Sequence, residues 1–326
     1  IKGFNSHGVI AVKGGEVSPR DIERALDAAK AVAIPLDREV IHILPQEYIV
    51  DDQRGIADPM GMAGVRLEVK VHIVTGAVTS AQNIVRSCHK SGLDVSDIVL
   101  ESLASAKAVL TEEEREIGVA LIDLGGVPCD IAIFANDSIK HTGVLALGGQ
   151  NLTNDIAFGL RTPMAAAEKI KIKHGAAIAE MVRPDEYIEV PSVGGREPRR
   201  LSRQVLAEIC EPRMEEILTL LDQELVRSGL KNMIGAGVVL TGGTALIQGC
   251  QELGEQVFNL PTRIGYPRNV GGLKDMVNSP KFATAMGLLR FGAEKEGMEQ
   301  KFRIRSDGNV FNSILSRMKK WFSEIS

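Results

Sequence analysis

The sequence predicts an α/β protein, and three stretches carry that prediction. Ile117–Phe134, IGVALIDLGGVPCDIAIF, places two short β-branched apolar runs, Gly118–Ile122 and Ile131–Phe134, on either side of Asp123-Leu-Gly-Gly-Val-Pro-Cys-Asp130. Short runs bounded by turn residues read as a buried strand, a glycine turn and a returning antiparallel strand. Met233–Gly249, MIGAGVVLTGGTALIQG, reads as a buried strand at Gly237–Leu240, then Thr241-Gly242-Gly243-Thr244, then a helix start. Ala165–Lys173, AAAEKIKIK, reads as a helix with Glu168 and Lys171 one turn apart on a shared face.

Each stretch has chemistry to offer. Gly125 and Gly126 let backbone N–H groups approach an anion without interference from Cβ. Asp123 and Asp130 sit at the two mouths of the turn, placed to hold the water shell of Mg²⁺, an ion that usually keeps several waters. The strand–Gly–Gly–helix junction points helix N-terminal amides at whatever lies above the sheet. Taken singly, each also has a plain reading: a β-hairpin, an α/β junction, a solvated salt bridge.

Composition narrows the class. At 326 residues with 44% hydrophobic content, the chain is a multi-domain globular protein with a substantial core. A net charge of −4 and the lack of a basic stripe argue against a nucleic-acid partner. Cys88, Cys129, Cys210 and Cys250 are scattered without a CxxC, which argues for reduced, buried thiols in a cytoplasmic protein. No run approaches the ~18 consecutive apolar residues of a spanning helix, and no signal peptide is visible.

In the order D-[LI]-G-G, E-x-x-K, G-G-[TA], the three stretches resemble the actin/heat-shock-chaperone ATPase superfamily. Ile43-Leu-Pro-Gln-Glu-Tyr48, Gly61–Val71 (GMAGVRLEVKV), Leu110-Thr-Glu-Glu-Glu114, Val190–Arg196 (VPSVGGR) and Leu206–Arg213 (LAEICEPR) are similar to words of the bacterial cell division FtsA family. The resemblance covers nearly the whole chain. It implies an actin-like (ribonuclease H-like) two-lobed ATPase fold with an inserted small α/β subdomain and a C-terminal amphipathic helix. The chain opens on Ile1, where the family has an earlier β-sheet half with a first phosphate hairpin. An N-terminally truncated fold is therefore expected.

The elements follow in order. Residues 1–76 read as the inserted interaction subdomain, with a strand at Gly8–Lys13 and a helix opened by Ser18-Pro19-Arg20-Asp21, where Ser caps, Pro fills the first turn and Asp meets the dipole. Strands follow at Val40–Leu44 and Val65–Val74, the second alternating in part and so leaving one wet face. His42 and His72 read as plain strand residues. Residues 77–116 and 280–296 form the rest of the first lobe: a helix Ser80–Ser91 with Ile84, Val85 and Cys88 inward, a strand Val95–Leu100, a helix Leu103–Leu110 and a returning helix Ala283–Phe291. Residues 117–162 and 234–279 form the second-lobe core, with Leu145–Asp155 a strand, Gly turn and helix start, and Val257–Arg263 a strand. Residues 163–233 form an outer subdomain with a strand Glu186–Val193 and a long helix Ser202–Leu225 that Pro212 should kink or break. Residues 297–309 read as a polar linker and 310–326 as an amphipathic helix.

The resemblance also implies roles. ATP with Mg²⁺ would lie between the glycine motifs, with Asp123, Gly125, Gly126 and Asp130 at the phosphates and metal, Gly242, Gly243 and Thr244 at the adenosine, and Glu168 and Lys171 at the ribose. Glu101, at a strand–helix link, is placed to position the attacking water; its plain reading is a helix N-terminal acid. Arg196, Arg199, Arg200, Arg203 and Arg213 make the outer subdomain locally basic. With Glu216 beside them, Arg199, Arg200 and Arg213 would line a groove for the acidic, apolar-anchored C-terminal tail of the tubulin-like division protein FtsZ. Phe311, Ile314, Leu315, Met318, Trp321 and Phe322 fall at helical spacing with Arg317, Lys319 and Lys320 on the remaining faces. That pattern suits a helix lying flat in a lipid interface. The implied protein is a scaffold, at most a weak ATPase, that self-assembles and recruits later division proteins through its small subdomain. Its implied place is the cytoplasmic side of the membrane at the septum. A sugar-kinase-like enzyme and a pilus-assembly actin homologue are the alternatives, and the terminal amphipathic helix argues against both.

One departure matters. Superfamily hairpins read Gly-Gly-Gly-Thr where this chain has Gly125-Gly126-Val127-Pro128. Val127 adds a Cβ, and Pro128 removes an N–H and a hydroxyl. Each lost charge-assisted bond costs about 1.5–3 kcal/mol, roughly tenfold or more in affinity. ATP and Mg²⁺ binding should be weakened or lost if Val127-Pro128 is genuine. Codons GGT-ACC-ATG for Gly-Thr-Met, read one base out of register, give Val-Pro-Cys, so paired frame changes around Val127 are an alternative that resequencing the DNA tests.

Overall fold

The computed structural model describes residues 1–271 and 277–305. The chain opens with β1 (Lys2–Ala11), α1 (Pro19–Lys30), β2 (Arg38–Val50), β3 (Gln53–Ile56) and β4 (Arg66–Ala77). The strands form one antiparallel sheet in the order β1-β4-β2-β3. Ser18 caps α1 as its sequence predicts: Asp21 N–H donates to Ser18 Oγ while Ser18 N–H donates to Asp21 Oδ2, a reciprocal capping box. Alternate residues of β4, Leu67, Val69, Val71 and Ile73, are fully buried beneath α1.

The second unit comprises α2 (Val78–Lys90), α3 (Glu101–Val109), α4 (Glu112–Ile117), β5 (Val119–Leu124), β6 (Cys129–Ala135), β7 (Ser138–Leu145), α5 (Gly149–Gly159), α6 (Met164–His174), β8 (Tyr187–Val190), β9 (Arg199–Ser202), α7 (Arg203–Arg227), β10 (Val238–Thr241), α8 (Cys250–Phe258), β11 (Thr262–Ile264) and α9 (Ala283–Arg305). Its sheet runs β11-β10-β5-β6-β7, with β5, β6 and β7 antiparallel and β10 parallel to both β5 and β11. Every residue of β5, β6 and β10 is buried, as near-continuous apolar strands covered on both faces should be. One face packs Ile122, Leu124 and Ile131 against Leu152, Ile156, Met214 and Ile217. The other packs Val119, Leu121 and Val239 against Ala106, Val109 and Ala283 of α3 and α9. The core sheet is thus sandwiched between helical layers.

The small sheet sits against the edge strand β7. His72 is 1% exposed, with Nδ1 2.7 Å from Asn5 Oδ1 and Nε2 2.9 Å from Thr142 Oγ1. Gln46 Nε2 donates to the Ile139 carbonyl at 2.7 Å. The wet face expected for β4 therefore stops at His72, because β7 covers it. Burial also drives the His72 pKa down to about 4.

Several expectations are corrected. Residues 95–100 form no strand; among the described residues no neighbouring strand pairs with them, and Leu100 N–H donates to His42 Nε2 instead. Ile84 points outward at 58% exposure, while Ala81 is the buried anchor of α2. After Gly243 the chain makes a single 3-10 turn, Thr244–Leu246, and α8 waits until Cys250. Residues 257–258 complete α8, which Asn259 ends in the left-handed conformation, so the following strand begins only at Thr262. α7 runs unbroken for 25 residues through Pro212, held by Cys210, Met214, Ile217, Leu218 and Leu221 buried under the sheet. α9 continues to Arg305, so the stretch 297–309 begins as helix rather than linker. The amphipathic segment 310–326, with Phe311, Ile314, Leu315, Met318, Trp321 and Phe322, lies outside the described residues. No helix among the described residues is long and apolar enough to cross a membrane.

Candidate functional site

β5 and β6 deliver the two aspartates. Asp123 and Asp130 are register partners, 4% and 5% exposed, on the same side of the ladder. The turn between them contains a cis Val127–Pro128 bond. Its carbonyls face the start of α5: Gly149 N–H donates to Gly125 O at 3.0 Å and Gln150 N–H to Gly126 O at 2.9 Å. Thr244 Oγ1 donates to Gly125 O at 2.9 Å, which joins the hairpin to the Gly242-Gly243 junction. A Cβ on Gly126 would meet nothing within 4 Å, so this part of the turn is open.

Gly242 has φ +86 and backs directly onto the hairpin: a Cβ there would lie 2.4 Å from Asp123 Oδ1 and 2.6 Å from the Leu124 carbonyl. Gly243 is different. It has ordinary helical φ/ψ, and a Cβ would find Lys281 Cβ at 3.8 Å as its nearest neighbour.

Glu101 begins α3, and Thr284 Oγ1 lies 3.5 Å from its Oε1. Glu101, Asp123 and Asp130 form an acidic group that burial and mutual repulsion keep from ionising readily. Burial, then Glu101, then Asp123 push Asp130 up to about 7. Burial raises Asp123, while hydroxyls of Ser105 and Thr284 pull it back. Burial and then Asp123 raise Glu101. Cys129, beside the pair, has its thiol pushed up to about 12 by burial first. Among the described residues no three His, Cys, Asp or Glu side chains form a direct metal cage. Such a donor set fits a cation held through its own waters.

Glu168 and Lys171 meet as expected, with Nζ 2.7 Å from Oε2. Lys171 is buried, and its ammonium also donates to Gly149 O at 2.9 Å and Thr153 Oγ1 at 2.8 Å. Thr153 donates in turn to Glu168. Lys171 thus spends its three N–H donors inside the protein, locking α6 to the start of α5. Of the pair, Glu168, 43% exposed, is the member with a free face, while Lys171 faces inward. Burial opposes ionisation of Glu168, but Lys171 and Thr153 outweigh it and hold its pKa low.

Three of the five arginines of the basic group, Arg199, Arg203 and Arg213, are already partnered. Arg213 Nε and Nη2 fork onto Asp155 of α5 at 2.5 and 3.1 Å, and Nη1 bonds Glu216. Arg199 donates to the Leu160 carbonyl. Arg203 pairs with Glu186 and donates to the His174 carbonyl. Arg200 is exposed, its guanidinium 4.4 Å from the Tyr187 ring centroid. Sequence reasoning missed Ser105, Thr284, Thr153 and Asp155. A polar residue inside the apolar stretch Leu103-Ala-Ser-Ala was the one available signal for Ser105; the others leave no local trace.

An open glycine turn, paired aspartates and a second Gly-Gly junction on one five-stranded sheet define an actin-like protein. Solved structures agree on the fold. The PilM-PilN type IV pilus biogenesis complex matches with TM-score 0.56 at 17% identity, over 89% of this chain and 76% of that one. MreB5 of Spiroplasma citri bound to ADP matches with TM-score 0.53 at 19% identity, over 69% and 68%. The profile of the family Cell division protein FtsA matches residues 120–287, and that of the SHS2 domain inserted in FtsA matches residues 1–75. Cell division protein FtsA of Pseudomonas aeruginosa is 50% identical over 98% of this chain and 78% of its own length. The Escherichia coli K12 protein of that name is 41% identical over 97% and 77%. The chain belongs to the FtsA cell division family. The first sheet, β1 to β4 with α1, is its inserted SHS2 domain.

Proposed function

We propose that the chain is an adaptor that ties FtsZ filaments to the cytoplasmic face of the membrane at the division septum and assembles with itself in an ATP-dependent way. The observation that carries this reading is the match to both FtsA profiles across the two domains. Later division proteins would dock on the SHS2 domain, the FtsZ tail on the Arg199–Arg200 side of the outer subdomain, and lipid on residues 310–326.

The residues fit Mg²⁺–ATP in part. Asp123 and Asp130 suit the water shell of the ion, Gly126 leaves an open approach for phosphate, Gly243 leaves room for the adenosine, and Glu168 offers a carboxylate to the ribose. Mg²⁺ would neutralise phosphate charge beside an otherwise repulsive acidic group. Glu101 would act by orienting water. MreB5, an actin-like relative in fold, is described in complexes with ADP and AMPPNP. Against this, Pro128 offers no N–H to the ligand. That residue favours a second reading, a structural homologue that scaffolds without nucleotide.

Co-sedimentation with anionic vesicles, with and without ATP and FtsZ, tests the proposal. The full-length protein should pellet with vesicles and carry FtsZ down with it. Truncation after Asp307 should abolish vesicle binding and leave FtsZ-tail binding intact. Trp321→Glu should act nearly alike, since it puts a charge in the apolar face. Vesicle binding by the truncated protein would overturn the membrane part of the reading. Equal assembly with and without ATP would favour the nucleotide-free scaffold.

A further inference from the structure

We infer that Ser105 and Thr284 are positioning residues that fix the Asp123 carboxylate and tie the α3–α9 helix pair to the nucleotide site. The inference rests on the nucleotide reading above for its ligand, but its geometry stands in the unliganded chain. Ser105 Oγ donates to Asp123 Oδ2 at 2.6 Å. Thr284 Oγ1 lies 3.3 Å from the same oxygen and 3.0 Å from Ser105 Oγ. Both hydroxyls therefore converge on Oδ2, while Oδ1 lies against Gly242. The carboxylate is clamped between two helices on one side and the Gly-Gly junction on the other.

This arrangement is built, not incidental. Ser105 is fully buried, and Thr284 also reaches Glu101, another acid of the group. A helical Ser or Thr ordinarily bonds back to its own preceding turn; here both hydroxyls turn outward to a carboxylate on another element. They can meet because α3 and α9 touch backbone to backbone: a Cβ on Gly287 would lie 1.8 Å from the Ala104 carbonyl. Gly287 is one turn beyond Thr284, and Ala104 directly precedes Ser105. Any shift of α9 along α3 pulls on Asp123, and any ligand that orders Asp123 restrains that shift.

Calorimetric titration of the full-length protein with ATP, once with Mg²⁺ and once with EDTA, tests this. Thr284→Val keeps the shape and removes the hydroxyl; Ser105→Ala removes the other; Thr284→Ser keeps a hydroxyl. Affinity in EDTA should stay at the wild-type value in all three. The gain in affinity from Mg²⁺ should fall about tenfold in Thr284→Val and Ser105→Ala, the equivalent of one hydrogen bond to a charged group, and return in Thr284→Ser. A merely structural role would lower both arms alike, and that result, or an unchanged Mg²⁺ gain, overturns the inference. If the wild type binds no ATP in either arm, the nucleotide reading fails separately. Hydrogen exchange on the unliganded protein then decides: Ser105→Ala and Thr284→Val should exchange faster at residues 124–127 with α7 unchanged, and equal exchange there overturns the inference. Should Thr284→Val not fold, Ser105→Ala against Thr284→Ser carries the same comparison.

Discussion

Asp130 lies directly across the β5–β6 ladder from Asp123, so two nearly buried carboxylates share one side of the sheet at the base of the glycine turn. Like charges in opposed register positions repel, and burial strengthens the effect. The sheet tolerates the pair because one member need not be ionised. The nearby acid Glu101 adds to the load.

A pH dependence follows from Asp130. Its pKa is about 7 in the folded chain against 3.8 for an ordinary aspartate. Between those values the folded state keeps a proton that the unfolded state has lost. The stability linked to that proton is complete below about pH 4 and is lost as pH rises through 7. Asp130→Asn should therefore raise the melting temperature at pH 8 more than at pH 5, with an upper bound near 4 kcal/mol. Mg²⁺ should narrow the same gap in the wild type. Melting curves at the two pH values decide; a gap of equal size in Asp130→Asn would place the titrating group elsewhere.

The two glycines of the junction should behave in opposite ways. Gly242→Ala forces a side chain into a left-handed position and onto Asp123 and the Leu124 carbonyl. It should destabilise the fold by at least the roughly 1–2 kcal/mol that an L-residue pays there. Gly243→Val has open space before it and should leave melting nearly unchanged. Loss of ATP binding in Gly243→Val then reports on the ligand site itself, whereas the same loss in Gly242→Ala reports on the hairpin. Unchanged ATP affinity in a folded Gly243→Val protein would remove the junction from the site.

Much of this was legible beforehand. The hairpin with its aspartates, the Gly-Gly junction and the Glu168–Lys171 turn all lie within short segments whose periodicity and turn residues speak for themselves. What the sequence hid were the long-range partners. Thr153 and Asp155 look like ordinary helix residues, and they acquire roles only when α5 packs on α6 and α7. Residues 95–100 carry a strand pattern with no partner strand among the described residues. Pro212 looks like a break, yet the buried residues on either side keep α7 whole.

Lys171 offers a test of role. If it were a ligand contact, Lys171→Met would lower ATP affinity and spare the fold. Its ammonium instead joins Gly149 O, Thr153 and Glu168. Removing it leaves a buried carbonyl and hydroxyl, and a half-exposed carboxylate, without their donor, a loss of about 1–3 kcal/mol. The melting temperature of the unliganded protein should drop accordingly, and Lys171→Met, Glu168→Gln together should lose less than the two separate losses added. An unliganded protein that melts at the wild-type temperature would return Lys171 to the ligand-binding set.

The proposed FtsZ-tail surface is best probed at Arg200 rather than Arg213. A fork already closed on Asp155 and Glu216 has little left to give an incoming acidic peptide. Arg213→Glu would set a third acid against those two, so its first effect should be a stability loss of about 1–3 kcal/mol for a half-buried pair. Any fall in peptide affinity would then be ambiguous. Arg200, on the β8–β9 hairpin of the outer subdomain, has no carboxylate partner among the described residues; it rests on the exposed face of Tyr187. That stack holds the guanidinium in place at low entropic cost and leaves its edge to solvent, which suits capture of a carboxylate beside an apolar anchor. Arg200→Glu should leave melting within the ordinary scatter of surface substitutions, about 0.5 kcal/mol. It should weaken the FtsZ tail peptide about tenfold and reduce the salt sensitivity of binding. Tyr187→Ala should do part of the same, by freeing the arginine it supports. Fluorescence anisotropy with a labelled tail peptide at two salt concentrations measures both effects. Wild-type affinity in a well-folded Arg200→Glu protein would move the tail to a different face of the molecule.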